Sequence, residues 1–374
     1  MKIVQVLFYL TPGGAERMVV DLSNELSKDN EVVLLTLIDD QVEPEKRQFY
    51  KYDLSERVIY KNLGIPLGGG FKFWPLWKVY KAIKAENADV IHLHTAHIVN
   101  FCILAICFLC WNTKIIQTIH TDFKVGHTSR VYKFLFNFLG RLHKMSWVAL
   151  SETNYKDMMT TYPFINGARI DNGRAPVLPT PLFDNVKSEI DSYRVNEDTK
   201  IFLHVARCVE VKNQMMLVSA FNKFAETANA KLLIIGADFD SELGQKIQKG
   251  AGEHVHFLGT RKNIADYMLN SDVFCLSSIY EGLPITLLEA LLSGTPIVCT
   301  PIAASHDVLT NGKNAIVSTD FSEAAYVYSL REVTNKLPEL AQYCAETKDC
   351  NPYTMKECAN KYMAFYRRGF QETV

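Results

Sequence analysis

The chain has 374 residues, of which 48% are hydrophobic and 22% charged, with a formal net charge of −1. That length predicts two domains rather than one, and the composition is that of a globular protein. The near-zero charge excludes a chain-wide attraction to nucleic acid, so any electrostatic partner must be sought locally.

Ile3–Phe8 opens the chain as a strand; Met1 to Leu7 lacks a cleavage site and runs into a glycine loop, unlike a signal peptide. The loop, Thr11-Pro12-Gly13-Gly14-Ala15-Glu16-Arg17, lets the backbone approach a ligand, and the helix after it adds a positive dipole end. It is not the dinucleotide fingerprint, because G-x-G-x-x-G is absent. Glu31–Leu37, Val90–Leu93, Lys114–Ile119 and Trp147–Leu150 are the next strands, separated by helical segments, which predicts a parallel, doubly wound sheet. The longest apolar run, Phe101 to Trp111, is too short to span a bilayer and suits a buried helix. His92, His94 and His97 follow a strand and invite a metal reading. Nothing else suggests ligation, so they read as polar loop residues. His120 ends its strand at the carboxyl edge, where open α/β sheets place active groups.

From Phe123 to Ser151 there is no Asp or Glu. Arg130, Lys133, Arg141 and Lys144 fall on one helical face among Tyr132, Phe134, Leu135, Phe136, Phe138 and Leu139. This stretch reads either as a helix lying in a headgroup region or as a core helix with a solvated edge. Asn172-Gly173, Pro176, Pro179 and Pro181 then break the pattern and mark a linker, placing the first domain at 1–178.

A second domain, 179–352, alternates again: strands Lys200–Val205, Lys231–Gly236, His254–Leu258, Val273–Leu276 and Ile297–Cys299. Arg207 and Lys212 sit together in the loop after its first strand, ahead of a helix from Met215 to Thr227. Two fixed cations would suit a pyrophosphate. Asp238-Phe239-Asp240 has the D-x-D spacing of a metal-held sugar nucleotide, but it lies late in the chain and reads as loop acids. Ser277 to Glu289 forms a strand–loop–helix corner, with Pro284 at the first turn of a helix to Ser293 and Gly294 ending it. Amides at such a helix start favour phosphate. Glu281 in the loop and Glu289 on the helix suit sugar hydroxyls. The segment 353–374 is a final helix carrying Tyr362, Phe365, Tyr366 and Phe370 on one side. Nine cysteines without zinc-type spacing, several in apolar runs (Cys102, Cys107, Cys110, Cys275, Cys299), read as reduced core thiols, with Cys344, Cys350 and Cys358 structural.

Residues 281–298, EGLPITLLEALLSGTPIV, carry the E-x7-E pattern and resemble glycosyltransferase family 4, whose fold is GT-B. The Gly13–Arg17 loop matches that family's GGAER text. Arg207 and Lys212 match its "GRL…K" element, with Ala206 in place of the usual Gly. Asp238 also departs from the glycine-rich loop usual at its place.

The resemblance implies an α/β GT-B architecture, two Rossmann-like domains facing across a cleft, with the final helix crossing back to the first. It implies a retaining hexosyltransferase without a metal or cofactor. The donor would be a nucleotide diphosphate sugar, UDP before GDP, and the acceptor a lipid-linked saccharide or polysaccharide. The implied catalytic set is His120, Arg207, Lys212 and Glu281. Donor binding falls to Gly13, Gly14, Arg207, Lys212, Arg261, Glu281, Gly282, Leu283, Pro284, Ile285 and Glu289. His120 would position the sugar, and the departing phosphate would take the acceptor's proton. A cytoplasmic protein, peripheral on an anionic membrane through Arg130, Lys133, Arg141 and Lys144, with no nucleic-acid partner, completes the expectation. A sugar-nucleotide epimerase or hydrolase of the same fold, and a non-catalytic donor-binding subunit, are the alternatives.

Overall fold

Alternating strand and helix make two parallel sheets in the computed structural model, which describes residues 1–66, 73–95, 97–120, 130–142 and 145–368. One compact unit is Met1–Ala175 with the C-terminal segment from Tyr353; the other is Pro176–Pro352.

The first unit holds β1 (Lys2–Leu7), α1 (Gly14–Leu26), β2 (Glu31–Ile38), α2 (Pro44–Arg47), β3 (Val58–Ile65), α3 (Phe73–Glu86), β4 (Val90–His94), α4 (Ile98–Leu109), β5 (Lys114–Ile119), α5 (Arg130–Arg141), β6 (Ser146–Ala149), α6 (Glu152–Thr161) and β7 (Asn166–Arg169). Its sheet runs β3-β2-β1-β4-β5-β6-β7, every pairing parallel. β1 and β2 are near-continuous apolar runs because both sheet faces are covered: Val4, Val6, Val33 and Leu35 are fully buried.

The second unit holds α7 (Phe183–Asp191), β8 (Lys200–Val205), α8 (Gln214–Ala225), β9 (Ala230–Ile235), α9 (Glu242–Lys249), β10 (Val255–Gly259), α10 (Ile264–Leu269), β11 (Val273–Leu276), α11 (Ile285–Ser293), β12 (Ile297–Cys299), α12 (Ala303–Val308), β13 (Ala315–Val317), α13 (Glu323–Asn335) and α14 (Leu337–Thr347). Its sheet order is β10-β9-β8-β11-β12-β13. Phe202, Phe221 and Phe224 pack edge to face with centroids 5.4–5.5 Å apart, the geometry aromatic quadrupoles prefer.

The last helix, α15 (Met355–Arg367), belongs to the first unit. Thr354 caps it by accepting from the Glu357 amide. Arg174 donates its amide to Tyr353 (3.0 Å), and Met355 donates back to Arg174 (2.9 Å). At the other end Lys114 Nζ donates to the Phe365 and Arg368 carbonyls (2.5 and 2.6 Å), satisfying acceptors that a helix end leaves open. Tyr362, Phe365 and Tyr366 are buried, while Phe370 lies outside the described residues.

Three strands absent from the sequence reading, β3, β7 and β13, are all edge strands. Edges are paired on one side only and tolerate polar or very short segments. Cys107 is exposed rather than a core thiol, and Cys350 is exposed too; the other seven cysteines are buried. Among the described residues no helix is long and apolar enough to cross a membrane.

Candidate active site

In the second unit the loops after β8, β9 and β11 are laced together. The Ala206 amide donates to Ile235 (3.0 Å) and the Cys208 amide to Ala237 (2.9 Å). A short 3-10 turn, Glu210–Lys212, then ends at Asn213, whose left-handed backbone (φ 54°) opens α8. This brings the turn against the Ser277–Glu281 loop: the Ile279 amide donates to Val211 (2.8 Å) and Ser277 Oγ to the Lys212 carbonyl (2.7 Å). Thr300 fixes the loop from behind by donating to the Ser278 carbonyl (2.6 Å).

These backbone ties place the Lys212 ammonium against Glu281 Oε1, which also accepts from Ser278 Oγ at 2.9 Å. Both charged side chains are roughly four-fifths buried. Immediately after Glu281, Gly282 to Ile285 are buried and deliver the chain to the start of α11. Pro284 is the N-cap there and has no side-chain cap bond, so the structure moves the helix start one residue past it. Gly294, at φ 76°, closes the helix in the conformation glycine adopts without strain. Glu289 is buried one turn into α11. Arg207 is exposed in the loop opposite, its carbonyl held by Gln214 Nε2 (2.8 Å). Arg261 Nε donates to Tyr267 Oη (2.9 Å), and its guanidinium meets Glu189 at 3.4 Å.

Sequence reading missed His204. It is buried on β8, where Nδ1 donates to the Cys275 carbonyl (2.9 Å). Burial pushes it down to about 4, the Cys275 bond opposing and the nearby Lys212 charge adding to the shift. The Asp238–Asp240 loop turns over Asp238 in the left-handed region (φ 67°), while Phe239 packs on Phe257. Among the described residues no group of three or more His, Cys, Asp or Glu is placed to hold a metal.

The first unit has its own polar cluster. Gly13 is the extended N-cap of α1, with no side-chain cap bond, and Gly14 is the first helical residue. Thr11 Oγ1 donates to Glu16 (3.1 Å). His92 and His94 are not loop residues: both lie inside β4 and are fully buried, whereas His97 is exposed. His92 Nδ1 meets Tyr366 Oη and Nε2 meets Thr118 Oγ1, both at 2.7 Å. His94 Nε2 donates to Gln5 Oε1 (2.6 Å), so its Nδ1 must accept from His120 Nε2 (3.1 Å). His120 is thereby held as the Nε2–H tautomer, with Nδ1 the accepting nitrogen. Burial pushes His120 down to about 4 and holds His92 and His94 well below the usual imidazole range, so all three are neutral.

Of the basic residues assigned to a membrane face, Arg141 is the exposed last residue of α5, its guanidinium 5.0 Å from the Phe164 ring. The side chains of Arg130 and Lys133, and all of Lys144, lie outside the described residues.

The fold is that of the GT-B glycosyltransferases. The chain superposes on a glycosyltransferase from Rickettsia africae ESF-5 with a TM-score of 0.78 at 16% identity, covering 100% of this chain and 99% of that one. It superposes on Anabaena Alr3699/HepE in complex with UDP and glucose with a TM-score of 0.79 at 15% identity, covering 98% and 99%. Residues 12–171 match the family model Glycosyltransferase Family 4, and residues 185–348 match Glycosyl transferases group 1; the chain belongs to this glycosyltransferase family. N-acetyl-alpha-D-glucosaminyl L-malate synthase of Bacillus anthracis is 28% identical over 248 residues, 63% of this chain and 62% of that enzyme's length. UDP-Gal:alpha-D-GlcNAc-diphosphoundecaprenol alpha-1,3-galactosyltransferase of Escherichia coli is 25% identical over 304 residues, 76% of this chain and 73% of that one.

Proposed function

We propose that the chain is a retaining glycosyltransferase. It moves a hexose from a nucleotide diphosphate sugar, UDP-linked first, to a lipid-linked saccharide or polysaccharide during cell-surface glycan synthesis. No metal ion or cofactor is needed, and the work is done at the inner membrane face. The observation that carries this reading is the Lys212–Glu281–Ser278 cluster at the start of α11. The name of the Escherichia coli relative, with a UDP-linked donor and a diphosphoundecaprenol acceptor, supports it.

The donor's pyrophosphate lies on the amides at the start of α11, with Lys212 and Arg207 as counter-charges. An ammonium has three donors, so Lys212 can keep one on Glu281 and give the others to phosphate oxygens. As the anomeric C–O bond to phosphate breaks, negative charge grows on the departing nucleoside diphosphate, and fixed cations and amides stabilise it more than the ground state. Glu281 and Glu289 accept from sugar and ribose hydroxyls. The acceptor oxygen attacks from the face the phosphate leaves, and its proton passes to the departing phosphate oxygen, which needs no protein base. His120, neutral and with Nδ1 accepting, takes a hydrogen bond from a sugar hydroxyl and orients it.

The test is product analysis. The purified full chain is incubated with UDP- and GDP-hexoses and an undecaprenyl-diphosphate-linked saccharide in the presence of a chelator. Transfer with the donor's anomeric configuration kept is expected. An inverted product, loss of transfer on chelation, or donor consumed without transfer overturns the reading.

A further inference from the structure

α3 and α4 lie side by side on the first unit's sheet, joined by the Tyr80 and Phe108 rings 5.6 Å apart. Their inner sides fill the core with Val79, Ile83, Val99, Cys102 and Ile106. Their outer sides are also apolar. Phe73 (61%), Trp74 (43%), Trp77 (43%) and Phe108 (62%) are exposed, as is Trp111 (69%) just past α4. Single exposed aromatics are ordinary, but four on two adjoining helices, with a fifth just past one of them, form a patch that marks a contact surface.

Along α3 and α4 the exposed charge is of one sign. Lys78, Lys81 and Lys84 are exposed along α3, with their ammonium groups 5.7, 5.5 and 5.6 Å from the rings of Trp74, Trp77 and Tyr80. α4 has no charged residue. The one carboxylate on α3, Glu86, is buried and held by Lys61 (2.5 Å) and Lys2 (3.4 Å). Tryptophan favours the depth where headgroups meet acyl chains, and lysine stems lie along apolar surface while their heads reach phosphate. A second copy docked through the same face about a two-fold axis would bring two lysine rows together without acids to neutralise them.

We propose that the α3–α4 face docks on an anionic bilayer surface, with Trp74, Trp77 and Trp111 at the headgroup boundary and Lys78, Lys81 and Lys84 on lipid phosphates. This surface is separate in the chain from the 130–144 stretch, for which the sequence left a headgroup helix and a core helix as alternatives. It does not depend on the transfer reaction: loss of docking leaves nucleotide binding intact, and a failed transfer assay leaves docking intact.

The chain has four tryptophans, three of them on this face and the fourth, Trp147, fully buried, so intrinsic fluorescence reports on the face itself. The full chain is titrated with vesicles of phosphatidylcholine alone and of phosphatidylcholine with phosphatidylglycerol, and binding is checked by co-sedimentation. Only the anionic vesicles should shift the emission to the blue, with quenching by brominated acyl chains. Replacing Lys78, Lys81 and Lys84 together by Gln should weaken partition roughly a hundredfold. A W74S/W77S/W111S variant should lose co-sedimentation while keeping the wild-type melting temperature. No emission change with either vesicle overturns the proposal. So does undiminished vesicle binding by both variants, or a concentration-dependent dimer that the serine variant abolishes.

Discussion

Gly236→Ala should disable the proposed donor site while leaving the second unit folded. A Cβ at Gly236 would lie 1.8 Å from the Ala206 carbonyl oxygen. Real Cβ contacts do not fall below 3.0 Å, so the two loops must part by about 1.2 Å. They cannot part freely, because the amides of Ala206 and Cys208 tie them on either side. The displacement therefore passes into the segment carrying Arg207 and Lys212. Overpacking of this kind costs about 1–3 kcal/mol of stability, and an error of ~1 Å in placing a catalytic group costs about a hundredfold in rate. Steady-state kcat/KM with the preferred donor and urea unfolding of the same sample measure both. Gly250→Ala is the control: its backbone is ordinary (φ −85°), and the nearest atom to a new Cβ is 3.5 Å away, so it should change neither. Turnover of Gly236→Ala within about threefold of wild type would refute the reasoning.

Lys212→Met removes Glu281's counter-charge and a phosphate donor together, and should lower kcat/KM by about 10²–10³; unchanged kinetics would exclude Lys212 from the site. The neutral histidines set an acid limit. His120 and His204 both sit at about 4, below the ordinary 6.5. The unfolded chain therefore binds more protons than the native one in that interval, and stability falls as pH drops from 6.5 toward 4, by up to about 1.4 kcal/mol per pH unit for each group. Urea midpoints measured across this range should show the decline, and His204→Gln should reduce it; identical profiles would refute that assignment. Gln5→Leu removes the acceptor that orients His94, so nitrogen NMR of His120 should change from one tautomer to a mixture; a spectrum unaltered by the substitution would show that Gln5 does not act through His94.

The corner from Ser277 to Glu289 was legible because its signals are local: an apolar strand, a Gly and Pro in the turn, and a helix stopped by Gly294. The alternation of strand and helix gave both sheets for the same reason. What escaped depends on distant partners. β3 reads as polar because Lys61 and Asn62 point to Glu86 on α3 and Thr36 on β2, partners that only the fold reveals. His92 and His94 resemble loop residues in a string of histidines, yet Tyr366 Oη from α15, Thr118 on β5 and Gln5 on β1 satisfy them. The matching groups lie up to 274 positions away along the chain. His204 gave no signal either, since a lone histidine in an apolar strand is ordinary. Arg261 was assigned to the donor from its place in a familiar loop; that its guanidinium meets Tyr267 and Glu189, the latter contributed by a helix before β8, is a contact no local pattern announces.

Calorimetric titration of the full chain with UDP and GDP tests most directly whether the Lys212–Glu281 corner grips a nucleoside diphosphate. One nucleotide should bind the wild type. Lys212→Ala and Arg207→Ala should each weaken it at least about tenfold, as expected for a lost charge-assisted contact, while the exposed Lys246→Ala on α9 leaves it unchanged. Equal affinity across all four proteins, or no binding of either nucleotide by the wild type, would contradict the assignment.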